Sequence, residues 1–339
     1  MSRESLLREV RTIFEERRLR ASLRADVARA AYLAEHEDLA LADRAVQEAR
    51  WAKLSALTTP GSRPDELDED LEAKEEQLEQ RLQQLGLDEE ALAAAQYECP
   101  TCQDRGATLD GEPCPACYAE TLRGVLQREI SGYLPEATAS FANYSLTVFS
   151  DTPVQLANGR TSPRRQMEQN LKIAQRFVED FPKPEHNLYF TGQPGTGKTY
   201  LASCIANALL DQGRIALLLT MLQFEELVSR YRTLQRSFGA KPEALAEAEG
   251  AYDLLLDADL LILDDFGVQA RLLPEPLSEL MMLLQQRKIR GRQTILTSNM
   301  NLRDVGKHYD ERLLSRILER FAILPFLGDD LRLRKGRGE

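Results

Sequence analysis

The segment Gly192-Gln-Pro-Gly-Thr-Gly-Lys-Thr199 matches the pattern G-x-x-x-x-G-K-[ST] in full. Glycines at these spacings let backbone N–H groups turn toward phosphate oxygens at a helix N-terminus. An apolar run precedes the motif and a helical pattern follows it, which is the context that a nucleotide-binding loop requires. In this loop we expect Lys198 to reach the β- and γ-phosphates and Thr199 to ligate Mg²⁺. The predicted ATP-binding residues are Gly192, Gln193, Pro194, Gly195, Thr196, Gly197, Lys198 and Thr199.

Two carboxylates follow a second apolar run, Leu260–Leu263. Ligands of parallel sheets bind at the carboxyl ends of the strands, so Asp264 is predicted to be the Mg²⁺-linked acid and Asp265 to orient or deprotonate the attacking water. A third run, Thr294–Leu296, leads to Asn299, whose amide can bridge the γ-phosphate and the lytic water. The alternative for Asn299 is a polar residue that simply ends a strand.

Three arginines, Arg312, Arg316 and Arg320, recur every four residues on one face of a predicted helix. Either this face is solvated, or one arginine reaches the ATP of a neighbouring subunit and neutralises transition-state charge. Helical spacing alone does not choose among the three. Arg332, near the C-terminus, is a further candidate for contacting the phosphates.

Four of the five cysteines form the pattern Cys99-x2-Cys102-x11-Cys114-x2-Cys117. Four thiolates complete a tetrahedral shell around Zn²⁺ and leave no open position for water, so the predicted zinc site is structural. The alternatives are two disulfides, which are rare in cytosolic proteins, or a redox pair, which needs only one Cys-x-x-Cys. Cys204, in a predicted helix, is expected to be a small buried hydrophobe.

The elements that position these residues form an alternating pattern from residue 185 onward. Five apolar runs separated by amphipathic helices predict an α/β fold with a parallel five-stranded sheet covered on both faces. The short stretch after Asn299 has room for one strand and two short helices, so we expect a reduced lid. The five runs are Leu188–Phe190, Ile215–Leu219, Leu260–Leu263, Thr294–Leu296 and Phe321–Leu324.

The N-terminal region is helical and lacks the features of a signal peptide. Residues 2–57 contain neither Gly nor Pro and predict one long helix, Thr58–Pro64 breaks it, and an acidic helical pattern resumes at Asp65. This helical hairpin is either a solvated spacer or a partner-docking module, and the ATPase core is expected to fold without it. We divide the chain into hairpin 1–96, zinc knuckle 97–120, linker 121–184 and ATPase domain 185–339.

Composition limits the class of protein. The chain has 339 residues, a formal net charge of −11, 43% hydrophobic residues and 29% charged residues, which is typical of a globular protein. No apolar run approaches the ~18 residues of a membrane span. We therefore expect a cytoplasmic protein without a membrane partner, and the acidic balance argues against indiscriminate binding to duplex nucleic acid.

These motifs, taken in series, resemble those of bacterial replicative helicase loaders of the DnaC/DnaI type and their AAA+ relatives, the IstB transposition ATPases. The resemblance covers about residues 97–339, and the cysteine knuckle before the ATPase is similar to that of the loaders of clostridial-type bacteria. The motifs that carry it are Gly192–Thr199, Leu260–Gly267, Thr297–Asn299, Ser315–Leu318, Gly328–Arg332, Ser140–Tyr144, Ser162–Arg164 and Cys99–Cys102.

The resemblance implies an AAA+ P-loop ATPase in which Asn299 is sensor 1, Arg316 the arginine finger and Arg332 the sensor 2 residue. It implies that the N-terminal region holds the hexameric replicative helicase and that the chain delivers it to single-stranded DNA as a homo-oligomer. Asp265, where many AAA+ enzymes have Glu, suggests slow, switch-like hydrolysis. Basic and aromatic residues in Phe224–Phe238 suit a single strand, although an amphipathic helix on the sheet explains them equally well.

Other functions remain open at this point. An IstB-like transposition ATPase is the nearest enzymatic alternative, and a nucleotide-gated DNA-binding adaptor that hardly hydrolyses ATP is the alternative from another class. A small-molecule P-loop kinase is disfavoured, because the sequence offers an acid pair and an arginine series but no evident acceptor-binding domain.

Overall fold

A computed structural model describes residues 2–58, 67–86, 96–156, 159–267, 275–308 and 311–333. The chain divides into two compact units. The sheet unit contains Met1–Arg11 and Leu109–Glu339, and the helical unit contains Thr12–Thr108. The boundaries of these two units differ from those of the four predicted segments, and the functional assignment of those segments stays a prediction.

The core of the sheet unit is a five-stranded sheet whose spatial order is β4-β5-β6-β3-β7. Every neighbouring pair in it is parallel, and the residues of the central strands are nearly all buried. The five apolar runs of the sequence coincide with these strands, except that Ile215 lies one residue before β4, so the prediction of an α/β parallel sheet is confirmed. A short antiparallel pair, β1–β2, precedes it. The strands are β1 Val154–Leu156, β2 Gly159–Thr161, β3 Asn187–Gly192, β4 Ala216–Thr220, β5 Leu260–Phe266, β6 Gln293–Ser298 and β7 Phe321–Phe326.

Helices connect the strands, as parallel pairing requires. After β6 the described residues hold two short helices, one strand and a 3-10 turn at Leu331–Leu333, and the two short helices and the strand are the elements predicted for this stretch. Among the described residues, no helix has the length and apolar character needed to cross a bilayer. The helices are α1 Arg3–Glu35, α2 Glu37–Thr58, α3 Asp68–Gln84, α4 Tyr118–Ile130, α5 Pro163–Glu179, α6 Lys198–Asp211, α7 Met221–Arg236, α8 Pro242–Asp257, α9 Glu275–Ile289, α10 Leu302–His308 and α11 Glu311–Arg320.

The register of the sheet brings the three chemical motifs to one edge. β6 lies between β5 and β3, with Leu296 opposite Leu263 on one side and Ser298 opposite Thr191 on the other. Because the strands are parallel, their carboxyl ends meet at the same edge. The residues that follow β3, β5 and β6 therefore face a common site.

The opposite edge of the sheet includes the start of α1. Arg3 donates to Asp259 Oδ2 at 2.9 Å, and the same oxygen accepts from the N–H of Ile215 at 3.0 Å. Leu6 and Val10 are fully buried. The first turns of α1 thus belong to the sheet unit. The expectation that the ATPase core folds without the hairpin stays a prediction, and a fragment that begins at residue 121 would lack these contacts.

The helical unit corrects the prediction of one long helix over residues 2–57. The chain breaks at His36, whose ring stacks on Tyr32 with centroids 4.2 Å apart and whose Nδ1 lies 3.0 Å from the Tyr32 carbonyl oxygen. Glu37 and Asp38 then fill the first turn of α2, where acidic side chains favour a new helix start. The hairpin is formed by α2 and α3, whose buried contacts are Leu39, Val46, Leu78 and Leu82. Of the predicted break at residues 58–64, only Thr58 lies within the described residues.

Candidate nucleotide and metal sites

The phosphate-binding loop connects β3 to α6 and depends on two left-handed glycines. Gly195 has φ +73°, and Gly197, the residue before α6, has φ +91°. Only glycine adopts these angles without strain, and the turn that they allow places the N-terminus of α6 at the loop. Thr196 is buried, and its hydroxyl donates to the carbonyl of Gln193 at 2.8 Å, which closes the loop.

Lys198 lies at the centre of the site and is almost completely buried. Its Nζ donates to the carbonyl oxygens of Gly192 at 2.9 Å and Gln193 at 2.8 Å, and to Asn299 Oδ1 at 2.8 Å. Burial lowers the pKa of Lys198, while the carboxylates of Asp265 and Asp264 act in the opposite direction. The structure thus brings Lys198 and Asn299 together, at the ends of two different strands.

Thr199 and Asp264 form a second pair. The Thr199 hydroxyl lies 3.0 Å from both carboxylate oxygens of Asp264, and Thr297 Oγ1 donates to Asp264 Oδ1. Burial raises the pKa of Asp264, and the Thr297 hydrogen bond opposes that shift. A hydroxyl and a carboxylate are the hard oxygen donors that Mg²⁺ prefers, so this pair fits the ion that the fold family implies. Thr297 belongs to the motif Thr297–Asn299, but its contact with Asp264 was not predicted from the sequence.

Asp265 is exposed and has an unusual backbone conformation. Its φ is +57°, which is uncommon for a residue other than glycine, and its N–H donates to Thr297 Oγ1 at 3.2 Å. The β5–β6 register shifts between Leu263 and Phe266, so the acid pair lies on an irregularity of the strand. Such bulges re-aim side chains next to functional sites. Asp264 consequently points into the buried pair with Thr199, whereas Asp265 is exposed.

The predicted arginines lie in two places. On α11, Arg316 donates to the Met281 carbonyl of α9 at 3.3 Å, Arg320 donates to Gln285 Oε1 at 3.1 Å, and Arg312 is exposed. Arg332 is exposed in the segment after β7, and its charge acts to lower the pKa of Lys198. The structure therefore brings Arg332 to the nucleotide site and places Arg316 and Arg320 against α9.

The four cysteines of the knuckle converge. Their sulfur atoms all lie within 4.8 Å of one another, and all four residues are buried. All five cysteines of the chain lie within the described residues, and none is joined in a disulfide. Asp104 supports the first Cys-x-x-Cys by accepting from the N–H groups of Cys99 at 2.8 Å and Glu98 at 2.9 Å, and the N–H of Gly106 donates to Cys102 Sγ at 3.4 Å. This set of sulfur donors fits Zn²⁺.

We expect purified protein to carry about one zinc ion per chain, because four thiolates saturate one tetrahedral ion. Cys99→Ser should lose most of the zinc, and metal analysis by mass spectrometry measures it. Cys204→Ala is the matched control, since Cys204 is buried in α6 with its pKa raised to about 12 by burial. Zinc-free wild-type protein purified under reducing conditions, or equal zinc in both variants, would contradict the assignment.

Comparison with known proteins finds a family model and several relatives that match this chain. Residues 161–338 match the family model of IstB-like ATP binding proteins. The replicative helicase loader DnaC of Escherichia coli K12 is 30% identical over 147 residues, which cover 43% of this chain and 56% of the loader. The DnaC of Buchnera aphidicola from Schizaphis graminum is 30% identical over 148 residues, with the same coverage.

Solved structures with a similar fold include one titled as DnaI and one titled as the DnaC helicase loader. Each is 22% identical with a TM-score of 0.41, and they cover 58% and 56% of this chain and 92% and 97% of their own chains. The chain spans about half the length of the curated relatives that it matches. The family model covers more than half of this chain. The chain therefore belongs to the family of IstB-like ATP binding proteins.

Proposed function

We propose that this protein is an ATP-dependent loader that binds the replicative DNA helicase and delivers it onto single-stranded DNA. The observation that carries the ATPase part is the convergence of Lys198 with Asn299 and of Thr199 with Asp264 at one edge of the sheet. The loader part is supported by the relatives, which are named replicative helicase loaders and are 30% identical to this chain over 147 and 148 residues.

In the proposed reaction, the loop amides and Lys198 hold the phosphates of ATP, and Lys198 exchanges its carbonyl and Asn299 contacts for phosphate oxygens. Thr199 and Asp264 hold Mg²⁺, which supplies neutralisation of phosphate charge when bound. Asp265 orients the attacking water, and Asn299, released from Lys198, bridges that water and the γ-phosphate. Arg332 acts from the C-terminal segment of the same chain.

The helical unit supplies the proposed helicase-docking surface. Its buried contacts use one stripe of α2 and one of α3, and large apolar side chains remain outside that core. Trp51, the only tryptophan of the chain, is 71% exposed, and Leu54, one turn later, is 58% exposed. Aromatic anchors with apolar neighbours are the side chains that dominate binding energy at protein interfaces. The other exposed apolar side chains of this unit include Leu19, Leu23, Val27, Leu41 and Leu57.

Within the candidate segment Phe224–Phe238, we place the contact with single-stranded DNA at the end of α7. Arg230 pairs with Glu247 at 3.1 Å, and Arg232 pairs with Glu279 at 3.0 Å, so acids of the same chain already neutralise these two cations. Arg236 and Phe238, two residues apart in the sequence, are instead both exposed. A cation for phosphate beside a ring for a base is the combination that binds single strands without sequence preference.

Assembly is part of the proposal. Arg316 would serve as the finger only in the ATP site of a neighbouring copy, so the active form is a homo-oligomer bound to ATP and helicase, acting in the cytoplasm. The family match itself favours a second candidate, an IstB-like transposition ATPase. That candidate predicts ATP-dependent assembly on DNA without affinity for a helicase.

Co-purification of the full chain with the replicative helicase from its own bacterium tests the proposal. We expect binding by the unaltered chain, and a loss of about tenfold or more in affinity for the Trp51→Ala/Leu54→Ala double variant, because interface anchors of this kind contribute 2 kcal/mol or more, in rough terms. Leu109→Ala is the control, since Leu109 is 92% exposed but lies in the sheet unit. Failure of the unaltered chain to bind helicase would refute the loader function, and equal binding by the double variant would refute the docking surface.

A further inference from the structure

The C-terminal segment Gly328–Leu333 packs directly on the phosphate-binding loop. The N–H of Leu331 donates to the carbonyl oxygen of Gly195 at 2.9 Å. The carboxylate of Asp330 approaches Gly195 so closely that a Cβ atom built on Gly195 would lie 1.8 Å from Oδ1 and 2.1 Å from Cγ. The positive φ of Gly195 requires glycine, whereas the contact with Asp330 would require only that the Asp330 side chain move.

Asp330 also organises the turn that carries Arg332. Its Oδ1 accepts from the N–H of Arg332 at 2.9 Å. The Asp330 carboxylate thus lies against a loop whose amides and lysine favour anions. It belongs to the same segment as Arg332, a candidate for binding phosphate. A nucleotide on this loop brings several negative charges close to that carboxylate, and like charges at a partly desolvated site repel one another.

We propose that Asp330 is a resident anion that competes with nucleotide phosphate at the loop. It docks the C-terminal segment on Gly195, it lowers the affinity of the loop for ATP, and it is pushed away when phosphate binds. Nucleotide binding consequently breaks the contact of Asp330 with Gly195 and leaves Arg332 free to turn toward the phosphates. The inference rests on the proposed binding of ATP at this loop and adds a group that sets its affinity.

The test uses the full chain and the substitution Asp330→Asn, which keeps an oxygen acceptor for the Arg332 N–H and nearly the same shape but removes the charge. We expect the Kd for ATP to fall about 3–10-fold at low ionic strength, because one nearby repulsive charge is removed. The difference should shrink as salt increases, since added ions screen the repulsion over roughly 10 Å at 0.1 M. Titration of a fluorescent ATP analogue, with competition by unlabelled ATP, measures both effects.

Asp329→Asn is the matched control, because it removes the same charge one residue away, and the atoms nearest the built Cβ of Gly195 all belong to Asp330. We expect this control to tighten ATP binding less than Asp330→Asn does. Unchanged or weaker ATP binding by Asp330→Asn overturns the inference while leaving ATP binding intact, and equal tightening by both variants reduces it to an effect of net charge. Absence of ATP binding by the unaltered chain would overturn both the inference and the proposed ATPase.

Discussion

Lys198→Ala is expected to weaken ATP binding by roughly 100-fold, which corresponds to the 1.5–3 kcal/mol of a hydrogen bond to a charged group. The reason is that Lys198 already lies at the carbonyls of the loop and at Asn299, poised to exchange these contacts for phosphate oxygens. Isothermal titration with ATP and Mg²⁺ measures the change. Lys172→Ala is the control, since this lysine is exposed on α5 and pairs with Glu168.

A second variant, assayed for both ATP binding and ATP hydrolysis, separates binding from turnover. Asp265→Asn should keep ATP affinity within about threefold of the unaltered chain and reduce hydrolysis by 10²–10⁴, in rough terms, because general-base catalysis contributes on that scale. The exposed position of Asp265, apart from the buried Thr199–Asp264 pair, is the basis for this division. Similar losses of ATP binding in Lys198→Ala and Asp265→Asn would contradict it.

Turnover also distinguishes the ATPase from the adaptor that hardly hydrolyses ATP. We expect slow hydrolysis by the unaltered chain that increases with single-stranded DNA, and the same reduction of roughly 10²–10⁴ for Asp265→Asn. If both proteins bind ATP and neither hydrolyses it with DNA present, the adaptor is the better description.

The sheet and its site edge were predictable because their signals are local. Five continuous apolar runs specify buried parallel strands, and the motif Gly192–Thr199 specifies the turn between a strand and a helix. Parallel pairing then brings the ends of β3, β5 and β6 to one edge without further information. Asn299 could be placed near Lys198 for this reason alone, although the sequence could not show which contact they make.

Features that depend on tertiary contacts could not be predicted. The break at His36 has no Gly or Pro to mark it, and the hydrophobic cluster around it joins Leu33 of α1 to Leu39 of α2 and Leu78 of α3. The conformation of Asp265 results from a register shift between two strands, which no local pattern reveals. The contact of Asp330 with Gly195 joins residues far apart in sequence, and an acidic residue in a C-terminal turn gives no signal of it.

Among the described residues Arg287 is the most deeply buried cation, and its role was not predicted from the sequence. Arg287 of α9 is completely buried, and its guanidinium donates to the carbonyl oxygens of Leu255 at 2.5 Å and Ala258 at 3.0 Å and to the hydroxyl of Thr294 at 3.0 Å. It also donates to the Gln293 carbonyl. Burial lowers its pKa to about 9. In the sequence Arg287 is simply a basic residue of a predicted helix. Its partners are mostly backbone groups, which no sequence pattern reveals.

These partners explain why a charge is tolerated there. Leu255 lies in the last turn of α8, where unpaired carbonyl groups carry the negative end of the helix dipole. The guanidinium satisfies those carbonyls and also joins them to the start of β6, next to the strand that ends in Asp264 and Asp265. Arg287 therefore fixes the end of α8 against the start of β6, one strand of the nucleotide site.

Arg287→Met is expected to lower the free energy of unfolding of the sheet unit by about 3–5 kcal/mol, because a similar volume remains but the buried carbonyls lose their donor. Urea unfolding followed by circular dichroism measures it. Arg290→Met is the matched control, three residues later and just past the end of α9, where a partly exposed pair with Asp257 at 2.7 Å should contribute no more than about 1 kcal/mol. Arg287→Lys, which keeps the charge but has fewer and differently arranged donors, should fall between the two and gives a measurable value if the methionine variant does not fold. A loss for Arg287→Lys no larger than that of Arg290→Met would show that the carbonyls of α8 do not depend on this guanidinium.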